Sequence, residues 1–146
     1  MAGDQAARKL LGAWYTPAEL VSIVVDGVLD GFTPPLARAV RVLDPACGDG
    51  RFLTAIADRL AATHPAARLE LTGCDVDPGA HAAITDPRVR GIHADALTHQ
   101  WDGAGFDIVV GNPPYLSQMA AATSRGGSSR HGGGPYADAA VEFLAL

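Results

Sequence analysis

Basic residues are in short supply in this 146-residue sequence. Eleven Lys and Arg stand against sixteen Asp and Glu, a net charge of −5. A self-sufficient DNA binder carries a basic face, because neutralising phosphates releases counterions. The deficit counts against a strong grip on nucleic acid by this chain alone. It leaves room for a catalytic domain whose grip comes from elsewhere. Cysteine is scarce as well: Cys47 and Cys74 each fall near the end of a predicted strand, and no structural disulfide is expected. His64, His81, His93, His99 and His131 do not pair with Cys or with one another at a metal-ligand spacing, so no metal is expected. No apolar run approaches the roughly 20 residues that span a bilayer. No apolar stretch follows the charged start, Met1 to Lys9, so a secretion signal is not expected and the cytoplasm is the default compartment. What remains is ample core material. Apolar residues make up 48% and charged residues 18%, which excludes a disordered chain and fits one domain.

Apolar spacing then divides the chain into elements. Thr16-Pro17-Ala18-Glu19 reads as a helix start, with Thr16 as N-cap and Glu19 completing a capping box. Leu20, Val21, Val24, Val25 and Val28 follow at helical spacing, and Gly31 with Pro34-Pro35 ends the segment. Val40 to Leu43, ending at Asp44, reads as a buried strand. Pro45 to Gly50 is a glycine-containing turn. Phe52, Leu53, Ile56, Ala57 and Leu60 make a helical stripe closed by His64-Pro65. Leu69 to Cys74 predicts a second strand ending in Asp75, and Pro78 to about Ile84 a short helix. Val89 to His93 predicts a third strand, leading to Asp95, and Phe106 to Val110 a fourth, leading to Gly111-Asn112-Pro113-Pro114-Tyr115. Residues 117 to 135 are rich in Gly and polar residues and predict a flexible loop. Ala137 to Leu146 predicts an apolar helix.

Strands alternating with helices imply an α/β fold with a mostly parallel sheet. Ligands bind such sheets at the carboxyl ends of the strands. Asp44, Asp75, Asp95 and Asn112 all fall there. The turn Asp44-Pro45-Ala46-Cys47-Gly48-Asp49-Gly50 allows close approach of backbone to a ligand. An ordinary tight turn is the plainer reading of that motif alone, and the full dinucleotide pattern fails because Leu53 stands where a third glycine would. An acid at Asp75 suits two ribose hydroxyls, whereas Asp77, just before Pro78, reads as a helix cap. Asp95 suits an adenine amino group, or is a solvated loop acid.

Asn112-Pro113-Pro114-Tyr115 carries the most chemistry. An exocyclic amino group is a poor nucleophile because its lone pair is delocalised into the ring. Accepting hydrogen bonds from both amino hydrogens favours a tetrahedral nitrogen. Asn112 offers its side-chain carbonyl and Pro113 its backbone carbonyl, and the prolines hold the pair stiffly. Tyr115 offers a ring on which an extruded base stacks. The plainer reading is a rigid turn after a strand.

DPACGDG at 44–50 with NPPY at 112–115 resembles the class I amino-methyltransferases, and WYTPAEL at 14–20 resembles the N-terminal motif of the gamma-type N6-adenine DNA methyltransferases. The resemblance covers about residues 12 to 115. It implies a Rossmann-like fold, S-adenosylmethionine as cofactor, and the exocyclic amino group of adenine in DNA as substrate, with restriction-modification as a setting. It further implies that Tyr15, Thr16, Asp44, Ala46 and Gly48 meet the methionine end of the cofactor. Asp75 meets its ribose and Asp95 its adenine, while Asn112, which also borders the cofactor, meets the flipped base with Pro113, Pro114 and Tyr115. Methylation of a protein glutamine amide or an RNA amino group is the competing activity, and an inactive cofactor-binding fragment the competing non-enzyme. About seven strands are expected of the family and four are found here. Residues 1–146 are therefore expected to be a partial catalytic domain, with DNA recognition supplied by further sequence.

Overall fold

The computed structural model of the chain describes residues 16–113, of which Thr16–Asn112 form one compact unit. In chain order its elements are α1 (Ala18–Leu29), β1 (Val40–Asp44), α2 (Arg51–Thr63), β2 (Leu69–Asp75), α3 (Pro78–Ala83), β3 (Val89–His93) and β4 (Ile108–Val109). The sheet runs β3-β2-β1-β4 and every neighbouring pair is parallel. Its register sets Val42 beside both Leu71 and Ile108, and Asp44 beside Gly73.

Inner strand β1 is buried along nearly its whole length, as a strand covered on both faces must be. Val40 and Val42 pack with Val21 and Val25 of α1 and with Phe52, Leu53, Ile56 and Leu60 of α2. The stripe of α2 is what buries it, at about 1.5–3 kcal/mol for each large side chain. Leu43 is buried too, while its register partner Val109 is half exposed. No helix among the described residues is long and apolar enough to cross a membrane.

Two local expectations change. Thr16 is not the N-cap of α1. Pro17 holds that position, its carbonyl accepting from Leu20 N and Val21 N, and no side-chain cap bond forms among the described residues. Pro17 is extended (φ −56°, ψ 147°), which sets Thr16 one residue back from the helix, where its hydroxyl meets Asn112 instead. The fourth strand is also shorter than its apolar run. Phe106 lies outside the ladder, packed edge-on against Trp101 with the Arg41 guanidinium over its ring. Bonds from Asp107 N to Arg41 O and from Val110 N to Leu43 O nonetheless continue the pairing on either side of β4. The loop expected at 117–135 and the helix expected at 137–146 lie outside the described residues.

Candidate active site

The carboxyl ends of β1, β2 and β4 meet on one rim. Asp44, the last residue of β1, is 1% exposed. Its Oδ1 accepts from Ala46 N at 3.1 Å, and its Oδ2 is buried with no hydrogen-bond partner among the described residues. Burial, with some repulsion from Asp75 and Asp49, pushes its carboxyl up to about 8, against the weaker pull of the Ala46 amide. A Cβ at Gly111 would collide with Asp44 Oδ1, so the chain leaving β4 passes hard against this carboxyl. A buried acid with a free lone pair is a costly arrangement. Its geometry suits a cationic ligand that supplies the missing donor.

The turn from β1 to α2 wraps the same point. Gly48 (φ 53°) and Gly50 (φ 79°) take left-handed conformations that glycine adopts without strain. Gly50 serves as the N-cap of α2 without a side chain of its own, and Asp49 Oδ1 accepts from the first helical amide, Arg51 N, at 3.3 Å. Asp75, closing β2, reaches back: its Oδ2 accepts from Gly48 N at 2.8 Å and its Oδ1 from Asp77 N at 2.9 Å. Each oxygen keeps a second lone pair. Asp77 caps α3 by accepting from Gly79 N at 2.8 Å, as its place before Pro78 predicts. Ala94 N donates to Asp75 O at 3.0 Å, which sets half-buried Asp95 just beyond the Asp75 backbone; its Oδ1 accepts from Leu97 N.

At the other side of the rim, Asn112 Nδ2 donates to Thr16 Oγ1 at 3.2 Å. Thr16 is 6% exposed. Its backbone carbonyl accepts from the Arg51 guanidinium, which pairs with Asp49 at 2.6 Å and holds that carboxyl below its usual range. Hydrogen bonds and close contact thus tie together Thr16, Asp44, Ala46, Gly48, Asp75 and Asn112 of the expected residues. Tyr15, Pro114 and Tyr115 lie outside the described residues.

Three contributions escape a reading of the sequence. Arg51 and Asp49 brace Thr16, and nothing in their spacing marks them. Gly111 makes room for Asp44, and its only signal is a glycine just before Asn112. Gly73 makes room for the turn, since a Cβ there would lie 2.8 Å from Cys47 Sγ. The cysteines are free and buried. Cys47 packs over Gly73 in the core, while Cys74 Sγ donates to Ala94 O at 3.3 Å. Burial pushes Cys47 up to about 12 and Cys74 up to about 11, so neither is a thiolate nucleophile.

Comparison with known proteins identifies the family and the fold. The family model described as N-6 DNA methylase matches residues 4–140. The type II methyltransferase M.TthHB8I of Thermus thermophilus is 35% identical over 111 residues, covering 75% of this chain and 22% of that protein. A tRNA1(Val) (adenine(37)-N6)-methyltransferase of Serratia proteamaculans is 30% identical over 110 residues, covering 69% of this chain and 40% of that one. The chain therefore spans well under half the length of these relatives. In fold it is similar to the methyltransferase subunit of a type I restriction-modification system from Streptococcus thermophilus. That match has a TM-score of 0.63 at 16% identity, and covers 97% of this chain and 34% of the other.

Proposed function

The chain belongs to the N-6 DNA methylase family, and on that premise we propose that it methylates the exocyclic amino group of adenine in DNA, using S-adenosylmethionine. The observation that carries this reading is the close approach of Gly111 to buried Asp44. It sets the carboxyl that fits a cationic ligand one residue from Asn112, the acceptor suited to an amino group. When bound, S-adenosylmethionine supplies a methyl group on a positively charged sulfur. The residues present fit it. Asp44 Oδ2 lacks a partner among the described residues, as a site for its ammonium group requires. The backbone of the glycine turn lines that end, and Thr16 offers a hydroxyl to its carboxylate. Ala46 and Tyr15 flank that end, Asp75 accepts from the ribose hydroxyls with its remaining lone pairs, and Asp95 accepts from the adenine.

The chain's own part in transfer is alignment. Asn112 Oδ1 and the Pro113 carbonyl accept the two amino hydrogens of the target. Pro114 stiffens the turn and Tyr115 stacks on the flipped base. No strong general base and no metal is required: the sulfur departs readily as a neutral thioether, and the methylated nitrogen, then cationic, loses its extra proton to water. Holding nitrogen, methyl and sulfur in line is the main source of acceleration. We place the protein in the cytoplasm, in a restriction-modification setting, with its grip on DNA supplied by a separate recognition part.

The test is transfer of labelled methyl by the complete protein to unmethylated DNA. Label is expected as N6-methyladenine in DNA. Asn112→Ala is expected to lower transfer by about 10²–10³ while leaving cofactor affinity within a few fold. The Serratia relative favours one second reading, an adenine in tRNA. Label in tRNA and not in DNA selects it, and unchanged turnover in Asn112→Ala overturns both.

A further inference from the structure

We propose that Thr16 is a positioning residue for methyl transfer: its hydroxyl decides which end of the Asn112 amide faces the target base, and a bound cofactor carboxylate fixes that choice. The inference rests on the reading of the site just given, and deepens it.

An amide side chain has two ends of opposite hydrogen-bonding sense and nearly the same shape. With Oδ1 toward the target it accepts an amino hydrogen. Turned over, it presents N–H to N–H and repels the same group. The difference between these two states comes from what the inner end meets. Here that is Thr16 Oγ1, 3.2 Å from Nδ2 and contributed from 96 residues away. Thr16 itself is held firmly. It is buried, its carbonyl is bound by Arg51, and Arg51 is pinned to Asp49 in the glycine turn. Because Pro17 takes the N-cap position, the hydroxyl is not committed to the amides of α1.

A hydroxyl has one proton and two acceptor lone pairs. Alone, it tolerates either orientation of Asn112, donating to Oδ1 or accepting from Nδ2. A carboxylate at Thr16 claims the single proton through a charge-assisted bond. Only lone pairs then remain for Asn112, and only Nδ2 satisfies them. Oδ1 must face outward. The cofactor's acid end thereby sets the base-facing acceptor before a base arrives, and a site without cofactor engages the amino group poorly.

Asn112 is the only asparagine in the sequence, so 15N-asparagine labelling reports its side-chain NH2 as one pair of resonances. S-adenosylhomocysteine, which carries the carboxylate, is titrated into the wild-type chain, Thr16→Val and Thr16→Ser. 5′-Methylthioadenosine, which lacks the carboxylate, is the control. In wild type and Thr16→Ser, S-adenosylhomocysteine is expected to shift one of the two amide protons downfield and slow its exchange with water. Methylthioadenosine is expected to leave the pair unmoved, and Thr16→Val to lose the response even when saturated. In the complete protein at saturating cofactor, Thr16→Val is expected to lower kcat by roughly tenfold to hundredfold with little change in KM for DNA. Serine is expected to restore kcat, and Thr16→Val to add no further loss in an Asn112→Ala background. Saturated Thr16→Val with a wild-type Asn112 pair, or a loss additive with Asn112→Ala, overturns the proposal and leaves the site reading standing. Failure of S-adenosylhomocysteine to bind the wild-type chain overturns both.

Discussion

Asp44 concentrates the electrostatics of the rim in one side chain. Its carboxyl titrates near 8 in the folded chain because burial penalises the charged form, against about 3.9 when unfolded. Between those values the folded state keeps a proton that the unfolded state has released. Stability from this group is therefore greatest at the acid end of the window and is lost as pH rises towards about 8. Urea unfolding of the ligand-free chain at about pH 5 and about pH 8 should show this fall, and Asp44→Asn should abolish it. A cationic ligand reverses the preference by favouring the carboxylate. Binding of S-adenosylmethionine should then release a proton and tighten as pH rises through the same window. Calorimetry in buffers of differing ionisation enthalpy reads that proton directly. Heat independent of buffer would mean that Asp44 does not change charge on binding.

Among elements, the glycine turn packs tightly against β2. Gly73 sits beside Asp44 in the register, and a Cβ there would lie 2.8 Å from Cys47 Sγ, 3.0 Å from Cys47 Cβ and 3.2 Å from Leu53 Cδ1. Gly73→Ala should therefore push the turn off the sheet and cost about 1–3 kcal/mol, read as a lower unfolding midpoint. Adding Cys47→Ala removes the facing sulfur and should recover part of the loss. Local signals made β1, the turn, α2, β2 and the Asp77 cap legible in the sequence, since each depends on residues within a few positions. The same signals misplace Thr16. Its helix-cap pattern is good, but its hydroxyl is claimed by Asn112 across 96 positions, and no window contains both. They also lengthen β4, because apolar Phe106 looks like strand and is spent on Trp101 and Arg41. Gly73 is silent in sequence, since its reason lies in a side chain on the neighbouring segment.

At the scale of the molecule, five arginines of the described residues are held in ion pairs. Arg38 pairs with Asp107, Arg41 with Asp102, Arg51 with Asp49, Arg59 with Asp26 and Arg88 with Asp86 and Asp58. Exposed pairs of this kind are screened by solvent and add little to stability, so they matter less for stability than for what they withhold from phosphates. With a net charge of −5 in addition, the 146-residue chain should bind duplex DNA weakly and with a shallow salt dependence. A gel-shift titration at two salt concentrations tests this. Tight binding that collapses as salt rises would place a basic surface on the chain.

The hydrogen bond between Thr16 and Asn112 also bears on the order in which the site assembles. β1, the turn, α2 and β2 are consecutive, and their contacts close short loops. The Thr16–Asn112 bond closes a loop 96 residues long and depends on β4, whose ladder is two residues. Closing long loops carries the larger entropic cost and comes late in folding. The half of the rim that fits the cofactor is thus expected to mature before the half that meets the base. On the proposed function, a newly made or partly unfolded chain would bind the cofactor before it could engage a base.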